Sequence, residues 1–84
     1  MTHVLQQYDT FADLAMTGEK NLEVRRNTLG FQKGDRIRYE VVERRWPHDP
    51  VDHPLNDAAF EVTHVISNRG LQDGYVAFGI KKIS

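Results

Sequence analysis

The 84-residue sequence contains no cysteine, and this absence removes several classes of chemistry. Disulfide bridges, thiol catalysis, thiolate zinc sites and iron–sulfur clusters all require the missing side chain. Long apolar stretches are also lacking, since the longest near-apolar run, Tyr75 to Ile80, is far shorter than the ~20 residues of a membrane-spanning helix. The N-terminus has no basic-then-apolar pattern typical of a secretion signal. We therefore expect a soluble, cytoplasmic protein with no membrane partner.

The chain has no large excess of charge of either sign, because eleven basic and twelve acidic residues give a net charge of -1. Residues 20–45 are nevertheless basic, with eight basic and four acidic side chains. Most of these bases are arginines, namely Arg25, Arg26, Arg36, Arg38, Arg44 and Arg45. Arginine suits bidentate contacts with phosphate or carboxylate. These side chains can instead pair with neighbouring acids on a solvated face, and the charge pattern leaves both interpretations open.

A short helix is predicted near the N-terminus, after an extended lead at residues 3–7. Asp9 or Thr10 can cap its first turn by accepting hydrogen bonds from backbone N–H groups. Three apolar residues then follow at helical spacing and form a face that can dock on a sheet: Phe11, Leu14 and Ala15. Gly18 is expected to end the helix in the left-handed conformation.

Alternation of apolar and polar residues predicts four strands after the helix. The apolar positions are Leu22 and Val24; Ile37, Tyr39 and Val41; Phe60, Val62, His64 and Ile66; and Val76, Phe78 and Ile80. His64 is therefore expected in the core or at its edge. Residues 46–57 contain three prolines, which predict an exposed loop. We expect a single α+β, mostly β domain over residues 1–84: a small mixed β-barrel of about five strands with one principal helix on its flank.

A group of charged residues follows the predicted helix. Glu23 and Arg25 project from the same face of their strand, because side chains alternate along a strand, and Lys20 lies at the corner before it. If this face lines a concave surface, Lys20 and Arg25 can hold a phosphate, and Glu23 can accept a hydrogen bond from an exocyclic amine such as that of cytosine. The alternative is an ion pair between Glu23 and Arg25 that only supports the strand.

The same segment carries a resemblance to a known family. The stretch GEKNLEVRRN at residues 18–27, followed by FQKGD at residues 31–35, resembles the G-x-K-x-x-E-x-R and F-x-x-G-D motifs of ASCH domains, which belong to the PUA-like superfamily. The glycines at positions 70 and 74, before the last predicted strand, resemble those of a small bacterial and phage branch of this family that has no assigned function. The resemblance implies a β-barrel, a cleft beside the helix and an RNA-binding role. It also implies that the Lys, Glu and Arg of the first motif lie at that cleft.

An enzymatic alternative comes from the small acetylcytidine amidohydrolases of this superfamily. They are similar to the chain at Lys20 but have a threonine where this sequence has Glu23, which cannot act as a hydroxyl nucleophile. A different hydrolysis of a modified nucleoside remains open, with Glu23 as general base and Lys20 or Arg25 stabilising an oxyanion. The sequence favours binding of RNA or a nucleotide over catalysis, and it predicts no cofactor and no metal.

Further residues extend the predicted binding surface. Arg26, Arg36 and Arg38 would continue an electrostatic track from Lys20 and Arg25, as the charge pattern suggests. Asn27, next to Arg26, is included in this predicted surface. Trp46 follows two arginines and can stack on an unpaired base, or it can instead cap the core.

The proline-rich segment admits two further interpretations. Its two histidines, His48 and His53, have acidic neighbours that could together bind Zn²⁺, although a solvated turn is the favoured interpretation. The segment could also bind a protein partner. For the oligomeric state of the protein, a monomer is the favoured expectation.

Overall fold

The computed structural model describes residues 1–67 and 70–84, which contain five strands, one α-helix and one short 3₁₀ helix. The elements are β1 (Thr2–Tyr8), α1 (Asp9–Thr17), β2 (Leu22–Arg26), β3 (Arg36–Val42), the 3₁₀ helix (Pro54–Asp57), β4 (Ala59–Ser67) and β5 (Tyr75–Lys82). The predicted α+β, mostly β class with one principal helix is therefore confirmed. Within the described ranges, each helix is too short or too polar to cross a membrane.

All five strands form one sheet in the order β1-β3-β4-β5-β2. β1 runs parallel to β3, and the other neighbouring pairs are antiparallel. The sheet curls into a half-barrel, with β1 and β2 as its two edges. In the described part of the chain no backbone ladder joins β1 to β2, so the barrel is open between them.

The core fills the inside of the half-barrel, and the apolar residues of β3, β4 and β5 account for most of it. Its largest fully buried side chains are Tyr39, Phe60, Phe78, Ile37, Leu55, Val41 and Val62. Helix α1 covers the core with Ala12 and Ala15, whose small side chains allow the helix to lie close to its neighbours. The expectation that Phe11 and Leu14 dock on the sheet is wrong, since both are exposed.

The C-terminal end of α1 agrees with the sequence prediction, whereas its N-cap does not. Gly18 ends the helix with φ 84°, as expected for a left-handed terminus. The N-cap is Tyr8 rather than Asp9 or Thr10, and its side chain makes no capping hydrogen bond. The Asp9 carboxylate instead accepts hydrogen bonds from the backbone N–H groups of Thr10 (2.9 Å) and Arg44 (3.2 Å), so it ties the helix to the segment after β3.

β2 presents the opposite face to the one its apolar residues predict. Leu22 and Val24 are 47% and 54% exposed, whereas Glu23 is only 4% exposed. Burying a carboxylate costs free energy unless hydrogen bonds and opposite charges compensate for it. Glu23 has those partners inside the half-barrel, and this explains why the charged face of β2 is turned inward.

β4 contains a register shift between Val62 and His64. Phe60 and Val62, before the shift, face the core as predicted. The prediction that His64 lies in the core or at its edge is wrong, because the irregularity changes the parity of the strand and leaves His64 exposed. Val65 packs against the core instead.

The proline-rich segment is exposed along most of its length, as expected, but it also contributes to the core. Leu55, in the 3₁₀ helix, is fully buried beneath α1 and β3. The Asn56 side chain supports the segment, since its carbonyl oxygen accepts a hydrogen bond from the Val41 backbone N–H (2.8 Å) and its amide donates to the Val51 carbonyl (2.9 Å). These contacts attach the loop to β3.

Candidate functional site

The opening between the edge strands β1 and β2 forms a cleft of about 500 Å³ beside the start of α1. Its lining consists of Gln6, Gln7, Tyr8, Phe11, Lys20, Leu22, Glu23, Val24 and Arg25. The structure therefore brings together Lys20, Glu23 and Arg25, the three residues that strand parity and the resemblance to ASCH motifs single out in the sequence. We call this opening the β1–β2 cleft.

The Glu23 carboxylate lies at the base of the β1–β2 cleft and accepts four hydrogen bonds. Its Oε1 accepts from Lys20 Nζ (2.6 Å), and also from Gln7 Nε2 and the Tyr39 hydroxyl (both 3.1 Å). Its Oε2 accepts from Arg25 Nε (2.9 Å). The donors come from β1, β2, β3 and the corner after α1, so the carboxylate joins both edges of the half-barrel.

These contacts determine the protonation of the site. Burial by itself raises the pKa of Glu23, but the Lys20 hydrogen bond and the positive charges of Arg25 and Lys20 outweigh it, so the pKa lies below its ordinary value. Burial and the neighbouring Glu23 charge raise the pKa of the Tyr39 hydroxyl. At neutral pH Glu23 is therefore an anion, and Tyr39 is a neutral hydroxyl that donates to it.

Lys20 and Arg25 combine structural contacts with access to solvent. Lys20 Nζ also donates to the Leu22 carbonyl (3.2 Å), and Arg25 Nη2 donates to the Gln6 carbonyl (2.8 Å) across the opening. Their side chains are 26% and 28% exposed. Because an ammonium group has three N–H donors and a guanidinium group has five, both cations retain donors for a ligand.

The rim of the β1–β2 cleft is apolar. Tyr8 and Phe11 stand exposed on one side, and Leu22 and Val24 stand exposed on β2. The outward position of Leu22 and Val24 follows from the inward position of Glu23 on β2. Tyr8 faces outward because Gln7 faces inward on β1, and Phe11 lies outside the short docking face of α1. Together they give a polar, charged base and apolar walls, an arrangement that suits a ligand with flat apolar faces and polar edges.

Arg26 and Asn27 lie in a separate hollow of about 370 Å³ beyond the end of β2. Arg26 Nε donates to the Tyr75 hydroxyl (3.4 Å), and its guanidinium carbon is 5.8 Å from the centre of the Tyr75 ring. The Asn27 side-chain oxygen accepts from the Phe31 backbone N–H (3.2 Å), which stabilises the following loop. These two residues therefore adjoin the cleft without lining it.

Arg36 and Arg38 lie further away, on the outer face of β3. Their neighbours on β1 are Thr2 and Val4, which are also exposed. Arg38 Nη2 donates to a backbone carbonyl in the 3₁₀ helix (3.4 Å). The structure does not bring this outer pair together with Lys20 and Arg25.

Trp46 is 81% exposed, so it does not cap the core. Its ring meets the His48 ring edge to face, with the centroids 5.7 Å apart and an interplanar angle of 86°. His48 in turn stacks on Tyr8 at 5.7 Å and 27°. Since Tyr8 lines the β1–β2 cleft, these three rings form a row that leads from the cleft to the exposed indole.

The two histidines of the proline-rich segment have separate partners. His48 Nδ1 is 2.9 Å from the Glu43 carbonyl, whereas His53 Nε2 is 2.7 Å from the Asp13 carboxylate on α1. Across residues 1–67 and 70–84, no group of three or more His, Asp or Glu side chains is arranged to hold a metal ion.

Sequence reasoning missed two residues that hold Glu23 in place. Tyr39 is recognisable as a packing residue with a polar tip, but its partner is not visible in the sequence. Gln7 faces inward with His3 and Leu5, and only the alternation along β1 could have indicated this. Both residues are sixteen positions from Glu23 in the sequence, and only the folded sheet brings them into contact with it.

Comparison with known proteins gives a family without a function. No curated protein matches the chain significantly. Residues 2–80 match the family described as a domain of unknown function, DUF3850. This range includes all five strands up to residue 80 of β5 and every residue of the β1–β2 cleft. The chain therefore belongs to the DUF3850 family.

Proposed function

We propose that the protein binds a nucleotide, alone or within RNA, in the β1–β2 cleft. The observation that carries this proposal is a buried, ionised carboxylate held between two partly exposed cations inside an apolar rim. The cleft volume of about 500 Å³ lies in the range of about 300–1,000 Å³ that is common for small-ligand sites.

The three parts of the cleft match the three parts of a nucleotide. Lys20 and Arg25 offer charged donors for phosphate oxygens. The rim offers apolar and aromatic surfaces for the faces of a base. Glu23 Oε2 accepts only the Arg25 hydrogen bond among the described contacts, so it can also accept from an exocyclic amine or a ring N–H.

The sequence similarity of residues 18–35 to ASCH domains supports an RNA ligand, because an RNA-binding role is what that resemblance implies. Arg26 and Asn27, in the adjoining hollow, would then contact the continuing phosphate backbone. The absence of cysteine is compatible with a cytoplasmic location, which we include in the proposal.

Hydrolysis of a modified nucleoside is less well supported. A general base works best when its pKa lies near the operating pH. The pKa of Glu23 is instead lowered, since Lys20 and Arg25 stabilise the anion. A carboxylate held in this way is a good hydrogen-bond acceptor and a poor base, so the geometry favours binding.

The proposal is tested by NMR titration of the ¹⁵N-labelled protein with the four 5′-mononucleotides. We expect shift changes at residues 6–8 and 20–25. Arg25→Gln should weaken binding by about 10- to 150-fold, the value of a hydrogen bond to a charged group. Arg36→Gln removes the same charge from the outer face of β3 and should leave the affinity unchanged.

Two results would contradict the proposal. One is the absence of shift changes around the cleft at low salt with all four nucleotides. The other is an equal loss of affinity in both arginine variants, which would indicate diffuse charge attraction rather than a site. The amide spectrum of each variant verifies that the fold is retained.

A further inference from the structure

We propose that the aromatic row Tyr8, His48 and Trp46 is a second binding segment, which stacks the bases of single-stranded RNA that continues from the β1–β2 cleft. This inference rests on the proposed function, because the row would receive the nucleotides next to the one in the cleft. It makes the ligand an RNA strand of several nucleotides rather than a mononucleotide.

The row is continuous with the cleft. Tyr8 belongs to both, since it lines the cleft and stacks on His48 at 5.7 Å. The centroid of the Trp46 ring is also 5.7 Å from that of the His48 ring. A further hollow, of about 450 Å³, lies beside His48 and shares Gln6 with the cleft. A strand leaving the cleft past Tyr8 would therefore meet aromatic surface and open space.

The backbone holds His48 in a defined position. Its φ is 64°, in the left-handed region that residues with side chains seldom occupy and that carries a cost in free energy. Its N–H donates to the Arg45 carbonyl (2.8 Å), and its Nδ1 contacts the Glu43 carbonyl (2.9 Å). The middle ring of the row is thus fixed before any ligand arrives, which reduces the ordering cost of binding.

The chemistry around Trp46 favours nucleic acid as the occupant. An exposed indole offers a face to an unpaired base, whereas the bases of a duplex are already stacked. Arg44 and Arg45, both exposed and next to Trp46 in the chain, can contact phosphates. A protein partner would find the same aromatic surface, but the continuity with the cleft and the arginine pair favour a single strand.

Trp46 provides its own probe, because it is the one tryptophan in the sequence. We expect a mixed-sequence RNA hexanucleotide to quench Trp46 fluorescence on binding, since a base would stack on the indole. A 5′-mononucleotide should occupy the cleft and leave the fluorescence nearly unchanged. The hexanucleotide should also bind more tightly than the mononucleotide.

Affinity measurements on two variants complete the test. By fluorescence anisotropy of a labelled hexanucleotide, Trp46→Ala should lose about 5- to 150-fold in affinity, the range measured for base–aromatic stacking. Trp46→Phe keeps a stacking surface and should retain most of the affinity. The affinity of both variants for a mononucleotide, followed by NMR at the cleft, should equal that of the wild type.

The outcomes separate this inference from the function on which it rests. If mononucleotides bind at the cleft while Trp46→Ala binds the hexanucleotide as well as the wild type does, the inference is wrong and the cleft proposal stands. That result would leave the row to a protein partner. If neither RNA nor mononucleotide binds, both proposals are wrong.

Discussion

Replacing Glu23 with glutamine should destabilise the fold in a way that depends on pH. The substitution removes the anion but keeps the size of the side chain, so Lys20 and Arg25 lose their common counter-ion. Each hydrogen bond to a charged group contributes about 1.5–3 kcal/mol, and removing one partner of a buried pair costs about 3–5 kcal/mol. Both cations are partly exposed and can be hydrated, so we expect a loss of about 2–3 kcal/mol in the free energy of unfolding.

That loss is large but tolerable for a chain of this size. A domain of 84 residues has an unfolding free energy of roughly 4–13 kcal/mol, so the variant should still fold. Each kcal/mol lowers the Tm of such a domain by about 4–8 °C, which predicts a decrease of roughly 8–24 °C. Far-UV circular dichroism is the suitable signal, because Trp46 is already exposed in the folded state.

The pH dependence follows from the lowered pKa of Glu23. A carboxyl group whose pKa is lower in the folded than in the unfolded chain contributes stability above its ordinary value of 4.5, and the contribution is lost as pH falls through the folded pKa. The stability difference between wild type and Glu23→Gln should therefore be constant near neutral pH and shrink below about pH 4.5. Asp35 also has a lowered pKa, owing first to its hydrogen bond from His3, but it is common to both proteins and cancels.

Glu40→Gln is the matched control, because Glu40 is exposed on the outer face of β3. A surface change of this kind should alter stability by no more than about 0.5 kcal/mol. Equal effects of the two substitutions, or a Glu23→Gln difference that does not shrink in acid, would refute the assignment of Glu23 as a stabilising buried anion.

Two further substitutions test the supports of the site. Tyr39→Phe removes one donor to Glu23 without changing the ring, so it should lower the free energy of unfolding, measured with urea, by about 1.5–3 kcal/mol. Tyr75→Phe, in a more exposed position, should lower it less. An unchanged stability of Tyr39→Phe would mean that the hydroxyl contributes nothing to holding Glu23. Gly18→Ala should cost about 1–2 kcal/mol because of the positive φ alone, since no atom lies within 4 Å of the added carbon, and Gly18→Asn should be milder. Equal losses for alanine and asparagine would argue against this conformational explanation.

Periodicity was a sufficient guide where apolar residues alternate strongly and the strand lies inside the sheet. Ile37, Tyr39 and Val41 on β3 are buried as predicted, and so are the apolar residues of β5. The same rule gave the wrong face for β2, because Leu22 and Val24 imitate a core pattern. The choice of face depends on donors to Glu23 from β1 and β3, which no local pattern contains.

The candidate site was also predictable only in part. Lys20, Glu23 and Arg25 are close in sequence, so strand parity and the position of the corner were enough to bring them together. Arg36 and Arg38 were grouped with them by charge alone, and charge does not indicate which side of a sheet a residue occupies. His64 was misplaced because the irregularity in β4 leaves no mark in the amino-acid alternation.

The hydrogen bonds across the opening also affect how copies of the protein meet at high concentration. Edge strands present unpaired backbone groups on which a strand of another molecule can add, and this is a common route to aggregation. Here the Gln6 carbonyl is occupied by Arg25, the Tyr8 N–H by the Gln7 side chain, and the Leu22 carbonyl by Lys20. The side chains that line the cleft thereby occupy two backbone groups of the β1 edge and one of the β2 edge, so the residues proposed to bind a ligand also reduce the backbone that is open to intermolecular β-sheet formation.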